Sequence, residues 1–255
     1  AEELDAVLVD GPGQGSVPVP GSQGAIYALD FFASEAALHM REALGDAYAN
    51  ENVARAAVAA ARGLRSSLLI AGPEAADRFA TIRRGATIDM NSIVAALAHL
   101  DADLAIADDV AGGEAEGIPD ELKGAVEGTV LTAQPIPDIG WAVVGGPGPN
   151  RYDLSKVAAV IDLGGDDTYT MSDLAIGMRV VIDVAGNDRY EGGKDQGIAC
   201  GLCGLFLVDD MAGNDRYLGK ALNAGVGCFG AGLLIDRGGD EAIEEGRFDR
   251  TGRVL

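Results

Sequence analysis

A sequence repeat in the second half of the chain constrains the fold more than any other feature. Four segments share one pattern: an apolar run, Asp, any residue, Gly or Ala, Gly, Asp or Asn, Asp or Glu, any residue and, in the first three, Tyr. The leading acids are Asp162, Asp183, Asp210 and Asp236, spaced about 21 to 27 residues apart. A fainter copy over 141–152 keeps the apolar run and a final Asn-Arg-Tyr but lacks the leading Asp. We expect each copy to fold as one structural unit.

Each copy predicts a short strand that turns at its Gly-Gly or Ala-Gly pair. A period of this length suits one coil of a parallel β-solenoid, in which equivalent turns stack on one another. The leucine-rich signature is missing, and a propeller blade needs about 40 residues. The sequence therefore predicts an α+β protein with an α-helical domain over 1–130, which includes an irregular lead-in. A short parallel β-solenoid (β-helix) of about four to five coils follows over 131–255.

The N-terminal half is rich in alanine and predicts helices. Apolar residues at helical spacing predict the first two helices, namely Leu29, Ala33, Ala36, Met40 and Leu44, then Val53, Ala57, Ala60 and Leu64. Proline, glycine and capping residues predict three more: one over 73–84, one that begins near Asp89 or Asn91, and a short one over 119–127.

Each copy of the repeat also places three side chains that carry oxygen ligands within a span of six residues. Calcium takes about six to eight oxygen ligands and accepts carboxylates and amides, so two stacked turns are expected to share an ion. The plain alternative is that these are solvated turn residues, because Asp and Asn tolerate turn conformations. The candidate ligands are Asp162, Asp166, Asp167, Asp183, Asn187, Asp188, Asp210, Asn214, Asp215, Asp236, Asp240 and Glu241.

These turns resemble those of a known group of proteins. The Gly-Gly-Asp-Asp and Ala-Gly-Asn-Asp turns that follow apolar strands resemble the calcium-binding turns of the RTX, or hemolysin-type, β-roll family. The pattern Asp-x-x-Gly-Asn-Asp-x-Tyr is also similar to repeats in uncharacterised secreted bacterial proteins. The resemblance covers residues 141–245 and implies calcium binding outside the cell. RTX repeats recur every nine residues, whereas this period is longer and favours a larger coil.

Three cysteines lie in the spacers between repeats. Aligning Asp210 with Asp236 places Leu202 opposite Cys228, which brings Cys200, Cys203 and Cys228 close together. They are interpreted as fillers of a narrow interior, with a disulfide or a metal or redox centre as alternatives. The repeated tyrosines are expected to stack between coils, the alternative being a solvent-facing ladder that touches a glycan.

The charge balance limits the partners. The chain carries 40 acidic and 19 basic residues and a net charge of −21, which disfavours nucleic acid and anionic membrane surfaces. No apolar run is long enough to span a bilayer, and no nucleophile elbow, P-loop or zinc-protease motif occurs. We therefore expect a secreted or surface protein (periplasmic included) that binds structural Ca²⁺. Its role would be structural or adhesive, through self-association or contact with matrix proteins or glycans, rather than enzymatic. The alternatives are a glycan lyase or hydrolase on a β-helix scaffold and a cysteine-based metal-cluster protein.

Overall fold

The computed structural model describes residues 21–64, 114–219, 222 and 225–245. Helices come first in the chain and strands follow. Helix α1 spans Ser22–Leu44 and α2 spans Glu51–Leu64. The strands are β1 (Val126–Glu127), β2 (Val130–Ile136), β3 (Gly140–Gly145), β4 (Arg151–Asp153), β5 (Val157–Asp162), β6 (Thr168–Thr170), β7 (Ile176–Asp183), β8 (Arg189–Glu191), β9 (Gly201–Asp210), β10 (Arg216–Gly219), β11 (Gly227–Cys228), β12 (Ala231–Asp236) and β13 (Ala242–Glu245).

The strands form two mostly parallel sheets, so the α+β class is confirmed. The smaller sheet has the order β1-β4-β6-β8-β10-β13, and the larger has the order β11-β9-β7-β5-β3-β2, with β12 also paired to β9. Only the pairs β1/β4 and β2/β3 are antiparallel among the described strands. Each later repeat adds one strand to each sheet, so equivalent residues of successive repeats lie side by side.

The larger sheet is buried on both faces. One face packs against α1, through residues such as Val144, Ile161 and Leu205. The other face packs against the smaller sheet, through residues such as Val143 and Phe206. A parallel strand covered on both faces is apolar along its whole length rather than alternating, and all ten residues of β9 are buried.

The first two sequence-predicted helices are confirmed. The predicted stripe of α1 is buried from Leu29 to Leu44, and α2 covers the second stripe. The predicted helix over 119–127 is wrong: residues Asp120–Leu122 form a single 3-10 turn, and the chain continues into β1. Buried Val126 pairs there with Tyr152, so strand pairing outweighs local helix propensity. The predicted helices over 73–84 and from Asp89 or Asn91 lie outside the described residues.

Candidate metal centre

The leading acids of the repeats form one column, which we call the strand-end column: Asp162, Asp183, Asp210 and Asp236. Each is the last residue of its strand in the larger sheet. Neighbouring members are paired in register across β5, β7, β9 and β12. Asp162, Asp183 and Asp210 are fully buried. Parallel pairing of the strands therefore stacks carboxylates that the sequence spaces far apart.

A second set, the turn column, follows the turn of each repeat: Asp167, Asp188, Asp215 and Glu241. The first three are buried, and Glu241 at the end is exposed. Each aspartate accepts a backbone N–H from the preceding repeat through Oδ1. The distances are 2.5 Å from Asn150 N to Asp167, 2.6 Å from Asp167 N to Asp188 and 2.7 Å from Asp188 N to Asp215. These bonds leave the second carboxylate oxygen, Oδ2, for another partner.

The two columns meet and form a single carboxylate column. Three groups of acids place one oxygen from each member within 4.8 Å of the others. The groups are Asp162, Asp167 and Asp183; Asp188, Asp210 and Asp215; and Asp215, Asp236 and Glu241. All eight acids were predicted ligands, and the structure brings them together.

Several buried oxygens of this column accept no hydrogen bond from the described part of the chain. They are Oδ2 of Asp167, Asp188 and Asp215, and Oδ1 of Asp210. A buried carboxylate oxygen without a donor carries a desolvation cost of about 1–3 kcal/mol or more. Each of these residues belongs to one of the three groups, so the groups fit a cation that would satisfy their oxygens.

Burial and mutual repulsion perturb these acids. Burial, followed by the charge of Asp162, raises the pKa of Asp167 to about 8. Burial and then Asp188 raise the pKa of Asp183 to about 9. Burial also raises the pKa of Asp188 and of Asp210 to about 7, and that of Asp215 above its usual range. Without a cation, part of the column is therefore protonated at neutral pH.

The repeated tyrosines serve the same column. Tyr152, Tyr169, Tyr190 and Tyr217 are buried and stack with ring centroids 5.4, 4.6 and 4.7 Å apart, which confirms the predicted stacking. Each hydroxyl also donates to Oδ2 of the strand-end aspartate of the next repeat, over 2.5 to 2.7 Å. Sequence reasoning missed this second role. Side chains two residues apart share a face of a strand, so Tyr169 and Asp167 point inward together.

The middle residues of the turns form a separate, exposed ladder, which we call the outer ladder. It consists of Asp166, Asn187, Asn214 and Asp240, all exposed. Asn187 donates to Asp166 Oδ1 over 3.1 Å, and Asn214 donates to Asn187 Oδ1 over 3.1 Å. The backbone N–H of Asp240 then reaches Asn214 Oδ1 at 2.9 Å. These four predicted ligands bond to one another along the surface and stand outside the three groups of acids.

Asn150 closes the N-terminal end of the carboxylate column, and sequence reasoning did not single it out. Its Nδ2 donates to Asp162 Oδ2 over 2.9 Å, and its Oδ1 accepts the backbone N–H of Thr129 at 2.6 Å. In the same repeat Gly145 occupies the strand-end position. A Cβ on Gly145 would lie 2.2 Å from Asp162 Oδ2 and 2.0 Å from the Tyr152 hydroxyl. The signal for this cap was the missing leading Asp in the copy over 141–152.

The three cysteines are free, and all lie in the described part of the chain. Cys200 and Cys203 are buried and Cys228 is partly buried, as the interpretation as interior fillers expects. Cys228 pairs with Leu202 across β11 and β9, as the repeat alignment predicted. Burial raises the pKa of Cys200 and of Cys203 to about 12, so both are neutral thiols at physiological pH.

Comparison of the chain with protein-family models, with curated proteins and with solved structures finds no match. None of the helices within the described ranges is long and apolar enough to cross a membrane.

Proposed function

We propose that this protein is a calcium-stabilised repeat protein that acts outside the cell in a structural or adhesive role. On this proposal each repeat is one coil of a short parallel β-solenoid, and calcium ions lie between successive coils. The observation that carries the proposal is the buried carboxylate column, in which four oxygens that accept no hydrogen bond from the described residues belong to members of the groups of three acids.

Electrostatics favour a cation over an empty column. Two unit charges 4 Å apart repel by about 4 kcal/mol at the effective dielectric typical of protein sites, and members of each group approach within 4.8 Å. A divalent cation converts this repulsion into attraction. Each group offers at least three carboxylate oxygens, and backbone carbonyls or water would complete the six to eight ligands that calcium takes. Magnesium demands nearly ideal octahedral geometry and retains several waters, which a buried column accommodates poorly.

The solenoid proposal rests on the register of both sheets. Asp162, Asp183, Asp210 and Asp236 pair in sequence in one sheet, while Tyr152, Tyr169, Tyr190 and Tyr217 pair in sequence in the other. A chain that adds one strand to each of two sheets per repeat advances as a coil. Extracellular modules bind calcium at submillimolar to millimolar Kd values, so such coils would tighten after export by mass action.

The first experiment compares two adjacent substitutions, Asp167→Asn and Asp166→Asn. Asp167→Asn retains an oxygen that can accept the Asn150 N–H but removes a charge from the column. Asp166→Asn makes the same chemical change in the exposed outer ladder. Melting temperatures are measured in EDTA, in millimolar calcium and in millimolar magnesium.

We expect calcium to raise the melting temperature of the unaltered protein by about 5 °C or more, because two or three sites at a tenfold excess over Kd contribute about 1.4 kcal/mol each. Magnesium should raise it less. Asp167→Asn should lose the share of the calcium-induced rise that its own group contributes, about a third, and should not melt earlier in EDTA. Asp166→Asn should retain the rise. Equal melting in EDTA and calcium, or an equal loss in both variants, would overturn the proposal.

A further inference from the structure

A second, chemically different site lies beside the first repeats and is lined by other residues than those of the carboxylate column. It is a cleft of about 500 Å³ between the start of α2 and the loops that follow β4 and β6. Its volume lies within the range of small-molecule sites, about 300–1,000 Å³. Arg179 of β7, Lys156 of the β4–β5 loop and Arg55 of α2 line it. The lining therefore holds three cations and two acids, Glu51 and Asp173, in a chain whose net charge is −21.

Arg179 is the cation held mainly by backbone carbonyls, with Asp153 as the nearby charge that favours its protonated form. It donates to three backbone carbonyls: Nε to Leu154 at 2.8 Å, Nη1 to Met178 at 2.5 Å and Nη2 to Ser155 at 3.4 Å. Among the described residues no carboxylate forms an ion pair with it. A guanidinium has five N–H donors, so two remain. Burial lowers the pKa of Arg179 to about 10, and the group is still charged at neutral pH.

The other two cations are partly engaged. Arg55 pairs with Glu51 at 2.7 Å and with Asp173 at 3.4 Å, and Lys156 pairs with Asp153 at 3.5 Å. The two Arg55 pairs are exposed, and exposed ion pairs hold their partners weakly and can rearrange around a ligand. The partner of Lys156, Asp153, is buried, with 6% of its side chain exposed. Lys156 in particular keeps 57% of its side chain exposed. Arg179 and Lys156 are thus available to one anionic group.

The amides at the start of α2 are already used. Asn50 Oδ1 accepts the N–H groups of Asn52 and Val53 at 3.1 and 3.2 Å. The anion would therefore bind to the side chains of the cleft rather than to the end of the helix.

Two serine hydroxyls on the wall of the cleft define the rest of the ligand. Ser155 Oγ donates to Asp153 Oδ1 at 2.6 Å, and Ser172 Oγ donates to Asp153 Oδ2 at 2.5 Å. The two Oγ atoms lie 3.0 Å apart. Because both hydroxyl protons point to Asp153, the serine oxygens remain acceptors for hydroxyl donors of a ligand.

We propose that this cleft binds a small hydroxylated carboxylate, of the size and chemistry of a sugar acid. Its carboxylate pairs with Arg179 and Lys156, and its hydroxyls donate to Ser155 and Ser172. The guanidinium fork matches a planar carboxylate. The proposal does not rest on the calcium proposal, because none of these residues belongs to the carboxylate column.

The test is isothermal titration of the calcium-loaded full chain with glucuronate, glucose, acetate and sulfate. Glucuronate should bind saturably, and glucose and acetate should each bind at least about tenfold more weakly. Glucose lacks the carboxylate that the two cations bind, and acetate lacks the hydroxyls that the serines bind. Sulfate should also bind more weakly than glucuronate. Three results would overturn the proposal: no saturable binding of glucuronate, glucose binding as tightly, or acetate or sulfate binding as tightly.

Variants locate the binding in the cleft. Arg179→Gln should weaken glucuronate binding about tenfold, since it removes a charge-assisted hydrogen bond. Lys156→Gln should weaken it about threefold with an unchanged melting temperature. Lys123→Gln is the matched control, because Lys123 is exposed and pairs with Asp120 elsewhere. If Arg179→Gln fails to fold, Lys156→Gln decides: unchanged binding, or an equal loss in Lys123→Gln, contradicts the proposed site.

Discussion

Replacing Asn150 with Asp tests whether the carboxylate column requires a positive or hydrogen-donating partner along its length. Asn150 Nδ2 donates to Asp162 Oδ2 at 2.9 Å, while its Oδ1 accepts the N–H of Thr129. Asp keeps the shape and the bond from Thr129. It replaces the donor Nδ2, which faces Asp162 and also reaches the Gly146 carbonyl at 3.4 Å, and it puts a ninth acid beside the eight of the column.

The cost in the metal-free protein has two parts. Losing a hydrogen bond to a charged group costs about 1.5–3 kcal/mol. The new carboxylate either repels Asp162, by about 4 kcal/mol at an effective dielectric of 20, or takes up a proton. Holding an ordinary carboxyl protonated at pH 8 costs about 6 kcal/mol, which sets the ceiling. We expect a loss of about 4 kcal/mol, equivalent to a fall of about 8–16 °C in melting temperature.

The assay is thermal melting at pH 8 in EDTA and in calcium, with Asn187→Asp as the matched control. Asn187 also donates its amide to an aspartate, Asp166, but at an exposed position, so its replacement should cost less than about 1 kcal/mol. In calcium, Asn150→Asp should recover most of its loss, because the new oxygen becomes an additional ligand. The reasoning fails if Asn150→Asp melts like the control in EDTA. It also fails if calcium raises the melting temperature of Asn150→Asp no more than that of Asn187→Asp.

Two further predictions concern the same column. Without metal, the free energy of unfolding should fall as pH rises from 5 to 9. The reason is that folding raises the pKa of Asp167 from 3.8 to about 8 and that of Asp183 from 3.8 to about 9. The folded protein therefore holds protons at pH 5 that the unfolded chain has lost, and this stabilisation disappears as the two groups ionise. With calcium the melting temperature should rise with pH, since protons compete with the ion. Thermal melts at pH 5 and pH 9, in EDTA and in calcium, check these opposite trends. A melting temperature that rises with pH in EDTA would contradict the prediction. Gly186→Ala should lower the free energy of unfolding by about 3 kcal/mol or more, because the new Cβ would lie 1.8 Å from Gly165 O. Gly148→Ala is the control, since its Cβ would have nothing within 4 Å, and it should leave the free energy of unfolding nearly unchanged. Denaturant titration measures both.

The register of the repeats was readable from the sequence. Aligning the leading acids correctly pairs Asp183 with Asp210, and Leu202 with Cys228. This worked because identical turns recur at fixed places, and parallel pairing converts that recurrence into stacking. The tyrosine stack follows from the same register.

The different roles of the three polar positions in each repeat were not recognised from the sequence. All three polar positions were predicted as ligands, but Asp166 is exposed while Asp167 is buried. The alternation Asp166 out, Asp167 in, Thr168 out, Tyr169 in has the period of a strand, so the tyrosine marks the inward face. Strand β1 was mistaken for a helix because its partner, β4, is distant in sequence and no local signal specifies that pairing.

The direction of the hydrogen bonds explains why the end repeats differ from the others. Each repeat donates forward: its tyrosine hydroxyl and a backbone N–H reach acids of the next repeat. The first repeat therefore needs donors and no acid, and it carries Asn150 and Tyr152 with Gly145 at the strand end. The last repeat within the described residues offers the acceptors Asp236 and Glu241, and none of the described residues after it places an acid in register to receive a hydroxyl. The residue in register with Tyr217 there is Ile243, which has no hydroxyl to satisfy. Both departures from the repeat thus follow from one directional network, which a set of independent surface turns would not require.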